Sequence, residues 1–575
     1  MLLNLFTLAS LAATLQLAFA SPTSLVRRTN PNEPPPVVDL GYARYQGYLN
    51  ETAGLYWWRG IRYASAQRFQ APQTPATHKA VRNATEYGPI CWPASEGTNT
   101  TKGLPPPSNS SSSAPQKQAS EDCLFLNVVA PAGSCEGDNL PVLVYIHGGG
   151  YAFGDASTGS DFAAFTKHTG TKMVVVNLQY RLGSFGFLAG QAMKDYGVTN
   201  AGLLDQQFAL QWVQQHVSKF GGNPDHVTIW GESAGAGSVM NQIIANGGNT
   251  VKALGLKKPL FHAAIGSSVF LPYQAKYNSP FAELLYSQLV SATNCTKAAS
   301  SFACLEAVDA AALAAAGVKN SAAFPFGFWS YVPVVDGTFL TERASLLLAK
   351  GKKNLNGNLF TGINNLDEDE LRFIFTDATI QNDTISDQSQ RVSQFDRLLA
   401  GLFPYITSEE RQAVAKQYPI SDAPSKGNTF SRISAVIADS TFVCPTYWTA
   451  EAFGSSAHKG LFDYAPAHHA TDNSYYIGSI WNGKKSVSSV QSFDGALGGF
   501  IETFNPNNNA ANKTINPYWP TFDSGKQLLF NTTTRDTLSP ADPRIVETSS
   551  LTDFGTSQKT KCDFWRGSIS VNAGL

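Results

Sequence analysis

Charge is scarce in this chain. Asp, Glu, Lys and Arg make up 15% of 575 residues, and 42 basic against 43 acidic side chains leave a formal net charge of −1. No basic block or stripe occurs, so nothing offers the electrostatic footprint that nucleic-acid binding requires. The seven cysteines show neither C-x-x-C nor other metal-ligand spacing, so no metal site is expected and no cofactor is implied. After the N-terminal segment no run is long and apolar enough to span a bilayer. Internal repeats are absent. What is present is 43% hydrophobic and 11% aromatic residues, the composition of a large globular core rather than of disorder.

The N-terminus is apolar from Met1 to the small-x-small sequence Ala18-Phe19-Ala20. Residues 1–20 are therefore expected to be a secretory signal peptide, although a basic n-region is missing. Ser21 to Pro36 reads as a flexible leader, in which Arg27-Arg28 offers a dibasic processing point. Residues 37–575 are expected to form a single domain. An extracellular destination makes the cysteines readable as disulfides, with at least one of the seven outside intramolecular pairing. It also makes the eight N-x-S/T sequons, at Asn50, Asn83, Asn99, Asn109, Asn294, Asn382, Asn512 and Asn531, candidates for glycosylation.

Gly97 to Lys117 is low in complexity, with Pro105-Pro106-Pro107 and a serine run, and has almost nothing to bury. Continuous apolar runs then follow at Pro141–Ile146 and Lys172–Asn177, as expected of strands covered on both faces. Ala201 to Val217 has helical spacing, and Val227–Trp230 is a further strand. Phe261–Gly266, Val332–Val335, Leu359–Ile363 and Ser474–Ile477 are additional strand candidates. Strands alternating with helices predict an α/β fold around a mostly parallel, doubly wound sheet.

The strand at Val227 runs into Gly231-Glu232-Ser233-Ala234-Gly235, after which Val239–Ile244 reads as helix. This is G-x-S-x-G in a strand–turn–helix context, where flanking small residues let a serine stand exposed on a sharp turn. A serine hydroxyl needs an adjacent base, a group that orients that base, and N–H donors for the developing oxyanion. Gly148-Gly149-Gly150, directly after the Pro141 strand, can turn its N–H groups towards a ligand, and Ala234 adds another. For the base, chain order favours the pair His468-His469, in a loop signal near the C-terminus. His458 lies in the polar run Ser455-Ser456-Ala457-His458-Lys459 and reads as exposed. The acid is sought among Asp367-Glu368-Asp369-Glu370, most of which must be solvated.

At this point the chain resembles the type-B carboxylesterases of the α/β-hydrolase fold, a family that includes cholinesterases and secreted fungal esterases and lipases. The resemblance is carried by Arg59–Ala64, Glu121–Asn127, His147–Gly150, Tyr180–Gly183 and Phe220–Pro224, together with the serine turn, and it extends to Trp519-Pro520. It implies a large, mostly parallel central sheet flanked by helices and a secreted ester hydrolase working through an acyl-enzyme. Ser233 would be the nucleophile and Gly149, Gly150 and Ala234 the oxyanion donors. Ala467-His468-His469-Ala470-Thr471-Asp472 matches the family's histidine pattern with His469 as the base. Counting from Gly362 gives Asp367 as the acid, with Glu368 as the alternative. The resemblance further implies bridges Cys91–Cys123, Cys295–Cys304 and Cys444–Cys562, leaving Cys135 unpaired. The first would close a loop over residues 92–122 that contains the low-complexity insert. Arg68 with Glu121, and Arg181 with Asp205, resemble the family's structural ion pairs.

In that loop Trp92-Pro93-Ala94-Ser95-Glu96-Gly97 offers neither the apolar face of a lipase lid nor a mid-loop aromatic for a choline group. A small, soluble ester of short or medium chain is thus the expected substrate. A lipase or sterol esterase is the alternative. A non-catalytic adhesion protein on the same fold is a further one, weighed against by the presence of both Ser233 and His469.

Overall fold

Apolar runs that cannot be solvated on either face become the middle of one sheet. The computed structural model describes residues 35–97, 118–157, 162–325, 327–355, 360–366, 368, 388–419, 429–464, 467–477, 492–508, 515–532, 547–567 and 569–575. The sheet's strands are β1 (Tyr48–Asn50), β2 (Leu55–Arg62), β3 (Phe125–Pro131), β4 (Leu140–Ile146), β5 (Val174–Leu178) and β6 (Gly222–Glu232). They continue as β7 (Ala263–Ser267), β8 (Phe360–Asn365), β9 (Ala457–Asp463), β10 (Lys526–Thr532) and β11 (Glu547–Asp553). Among the described residues these eleven pair in the order β11-β10-β9-β8-β7-β6-β4-β5-β3-β2-β1. β4 to β10 pair in parallel with one another, while β1 to β3 and β11 close the edges antiparallel.

Alternation along each strand assigns its side chains to two cores. Val142, Val144 and Ile146 of β4 enter one, with Leu210 and Val213 of α1 (Ala201–His216) and Val239 and Ile243 of α2 (Ala234–Gly248). Leu143 and Tyr145 enter the other, with Leu497 and Phe500 of a helix over Phe493–Thr503. Helices thus cover both faces, as near-continuous apolar strands require. No single helix among the described residues is long and apolar enough to cross a membrane.

Three disulfides form, Cys91–Cys123, Cys295–Cys304 and Cys444–Cys562, and Cys135 stands outside them. Arg181 and Asp205 make a fully buried two-point pair at 2.7 and 2.8 Å. Arg68 grips Glu121 at 2.6 and 2.8 Å and turns its remaining nitrogen to the carbonyls of Leu305 and Val308. Of the sequons, Asn50, Asn83, Asn294 and Asn531 retain solvent exposure, whereas Asn99, Asn109, Asn382 and Asn512 lie outside the described residues. So do the signal-peptide region, nearly all of the leader and residues 98–117 of the disulfide-closed loop.

Three local expectations are corrected. Val332–Val335 forms no named strand among the described residues; only Val335 pairs, in an isolated parallel bridge with Lys276. The side chain of Asn200 accepts from the Val334 N–H (2.8 Å) and donates to its carbonyl (2.9 Å), occupying the groups a neighbouring strand would use. Ser474–Ile477 is not a strand, because Asn473–Tyr476 forms a helical turn. His458 is not on the surface: it lies within β9 at 4% exposure and donates through Nδ1 to the Pro520 carbonyl (3.0 Å).

Candidate active site

Ser233 occupies the turn between β6 and α2 at φ 56°, ψ −125°, a conformation strained for any residue with a Cβ. Backbone hydrogen bonds hold it there, one of them from the Phe270 N–H to its carbonyl (3.3 Å). Its N–H donates to the Ser267 carbonyl of β7 (3.0 Å), and its own carbonyl receives Gly237 (2.9 Å), the first full turn of α2. The turn can be this tight only because Gly235 has no side chain, since a Cβ there would fall 2.0 Å from the Ile146 carbonyl oxygen. The strand–turn–helix pattern has thus fixed the position of one hydroxyl at the C-terminal edge of the parallel strands.

His469 lies beyond β9 on a short turn in which Ala467 and Ala470 take positive φ. Its Nε2 is 3.0 Å from Ser233 Oγ, and its Nδ1 is 3.0 Å from Glu368 Oε2. All three residues are at least 93% buried, so little water competes for these bonds. Among the described residues, the carboxylate that meets the histidine is Glu368; Asp367 lies outside them. Glu368 Oε1 is fixed from behind by the Asn365 N–H (2.9 Å), the Asn364 amide (2.9 Å) and the Ser268 hydroxyl. His468 precedes the base on the same turn, where its carbonyl accepts from the Thr471 N–H (3.0 Å).

The glycine turn after β4 supplies the remaining part. Gly148 packs against the serine, for a Cβ on it would lie 3.1 Å from Ser233 Cβ. Gly149 and Gly150 take φ of 100° and 61°. Outside the helices and strands themselves, no hydrogen bond between described residues takes up the N–H of either. Ala234 is the first residue of α2, where the N–H has no partner within the helix. Three N–H groups therefore stand uncommitted among the described residues, beside one buried hydroxyl. Among the described residues no group of three or more His, Cys, Asp or Glu is placed to hold a metal ion.

Two further carboxylates share this ground, Glu232 beside the serine and Asp472 at the end of the histidine pattern. Glu232 precedes the serine, and its Oε1 stands 3.4 Å from His469 Nε2. Burial pushes its pKa from 4.5 up to about 7, opposed by His469 and reinforced by Asp472. Asp472 is raised as well, chiefly by burial, and is held by the Asn365 amide (3.0 Å) and the Tyr476 hydroxyl (3.1 Å). A folded-state pKa above the unfolded value means that stability is full below about pH 4.5 and declines as pH rises through about 7. Glu232→Gln removes that decline. Its stability relative to the parent is expected to rise by about 3 kcal/mol between those limits, read by denaturant unfolding at each pH. A difference that stays constant across the range would mean that Glu232 ionises at its ordinary pH.

Aromatic rings wall the same space. Trp329 lies against Gly150 so closely that a Cβ there would fall 2.1 Å from its ring. Phe270 meets Trp329 edge-on at 6.0 Å and stacks on Phe442 at 5.5 Å, and Phe442 lies 4.2 Å from the His469 ring. Trp92 packs against the core, while Ala94 and Gly97 donate to the carbonyls of Ala152 and Phe328. The loop's first residues are thereby pinned beside the site.

A parallel sheet with these groups at its strand ends is the architecture of an α/β-hydrolase esterase, and the carboxylesterase family model matches residues 34–565. The chain belongs to that family and is a carboxylic ester hydrolase. It is similar to Secreted lipase 1 of Botryotinia fuckeliana, with 32% identity over 72% of each chain. Carboxylesterase patB of Aspergillus clavatus shares 28% identity over 98% of this chain and 99% of its own. Among solved structures, Aspergillus niger EstA superposes with a TM-score of 0.76 at 28% identity, over 94% of this chain and 99% of its own.

Proposed function

We propose that the chain is a secreted serine esterase acting on soluble esters with short or medium acyl chains. Ser233 is the nucleophile, His469 the general base, Glu368 the acid that orients it, and Gly149, Gly150 and Ala234 the oxyanion donors. The observation that carries this reading is the unbroken path Ser233–His469–Glu368, with both imidazole contacts at 3.0 Å. Ser233 Oγ attacks the ester carbonyl while Nε2 takes its proton, and the tetrahedral oxyanion rests on the three N–H groups. His469 returns the proton to the departing alcohol, and water then repeats the cycle on the acyl-enzyme. Secretion is supported by the apolar N-terminal run and by relatives whose names call them secreted lipases.

The short-chain preference is supported by Trp329, which fills the space next to Gly150, and by the aromatic rings behind it. Several relatives carry the name lipase, including Lipase 4 of Diutina rugosa at 32% identity, which favours a lipase as the second reading. A panel of p-nitrophenyl esters separates the two. The expected result is a maximum at short or medium chains with no jump in rate at the solubility limit; strong activation above that limit on a long-chain ester would establish the lipase. Trp329→Ala is expected to raise the C8-to-C2 ratio of kcat/KM by about tenfold or more, since each methylene newly accommodated contributes roughly 1 kcal/mol or more. An unchanged ratio would remove Trp329 from the acyl side.

A further inference from the structure

A second cavity, of about 300 Å³, opens against Glu368, and neither Ser233 nor His469 is among its lining residues. It is bordered by β8, β9 and β10 and by the helices over Thr429–Ile437 and Thr556–Arg566. Four charged side chains face it: Glu368, Asp439, Lys459 and Lys561. Three of them are committed. Glu368 is occupied by His469, Ser268, Asn364 and Asn365. Asp439 accepts from the Tyr418 hydroxyl (3.0 Å) and the Gln558 amide (2.8 Å), with Lys561 paired to it at 3.3 Å.

Lys459 is the exception. It is 3% exposed, and among the described residues its ammonium donates only to the Gly460 carbonyl (2.8 Å), so two of its three N–H groups have no partner there. Burial with so little compensation pulls its pKa down to about 7, although Glu368 favours the charged form. Ser434 Oγ and Asn364 Oδ1, on the same lining, are also buried without a partner among the described residues. Buried polar groups left in this state are uncommon in folded proteins. Leu461, Val443 and Phe554 form an apolar part of the wall, beside the polar Ser431, Gln527 and Gln558.

The geometry points to this cavity as a binding site for a small amphipathic carboxylate, with Lys459 as its counter-charge and the apolar wall as the seat of its tail. The volume lies at the lower end of that of ligand pockets, which suits a chain of a few methylenes. An anion there stands beside Glu368 without entering the space above Ser233. Under the catalytic roles proposed above, it would alter the field behind the histidine rather than compete with ester.

Octanoate titrated into the full chain at neutral pH and followed by calorimetry tests the site, with a binding readout that does not depend on hydrolysis. Ala435→Phe fills the cavity from its helical wall, and Lys459→Met removes the charge at similar volume. Both are expected to weaken octanoate at least tenfold, and octanol is expected to bind at least tenfold more weakly than octanoate. Undiminished affinity in Ala435→Phe, or no binding to the parent protein at millimolar octanoate, overturns the proposal. Equal affinity for octanol overturns the assignment of an anion.

Discussion

Ser233→Ala is expected to lower kcat on p-nitrophenyl acetate by about 10⁵- to 10⁶-fold, the scale on which removing a serine nucleophile acts. The change deletes one oxygen and keeps the Cβ, so the strain at φ 56° and the backbone hydrogen bonds to the Ser267 carbonyl and from the Gly237 N–H are retained. Folding stability should accordingly stay within about 1 kcal/mol of the parent, and circular dichroism with a melting curve checks that the loss is chemical. Some rate above that of water should persist, because the N–H groups of Gly149, Gly150 and Ala234 remain in place. Hydrolysis at the parent rate would place the reaction elsewhere in the molecule.

Glu368→Gln is expected to cost about 10⁴-fold in kcat, and hydrogen-bond polarity explains why so small a change should matter so much. Oε1 of Glu368 receives three donors, from Ser268, Asn364 and the backbone of Asn365. A glutamine must present its single oxygen to those three, which leaves its NH₂ facing His469 Nδ1. The ring can then accept there only by moving its proton to Nε2, and a protonated Nε2 cannot take the proton from Ser233. Asp367→Asn, by contrast, should leave kcat within a few-fold. The two variants assayed side by side decide between the carboxylates, and the reverse order of effects would restore Asp367.

The acid was hard to read in the sequence for a definite reason. Counting from Gly362 carries over the family's spacing beside a strand expected to end at Ile363, but β8 continues in register with β9 as far as Asn365. The chain turns back later than the count assumes, and the N–H of Asn365 selects the carboxylate three residues on. Four adjacent acids carry no sign of such a choice. The serine was legible because its environment is local: the strand before it, the glycines about it and the helix after it are contiguous. The same holds for the glycine turn after β4. Residues whose place is set by distant partners were misread, as with His458, whose polar neighbours conceal a position between β8 and β10. Trp329 and Glu232 gave no local signal, for their importance comes only from standing against Gly150 and His469.

Ser233 and His469 are 236 positions apart in the chain, and Glu368 and His469 are 101 apart. Each belongs to the end of a different strand, so none of their contacts can form until β6, β7, β8 and β9 are laid side by side. Contacts of such long range form late and slowly, after the entropy of closing the intervening loops has been overcome. Recovery of ester cleavage after dilution from denaturant is therefore a clock for completed folding, and it should lag behind the return of helical signal.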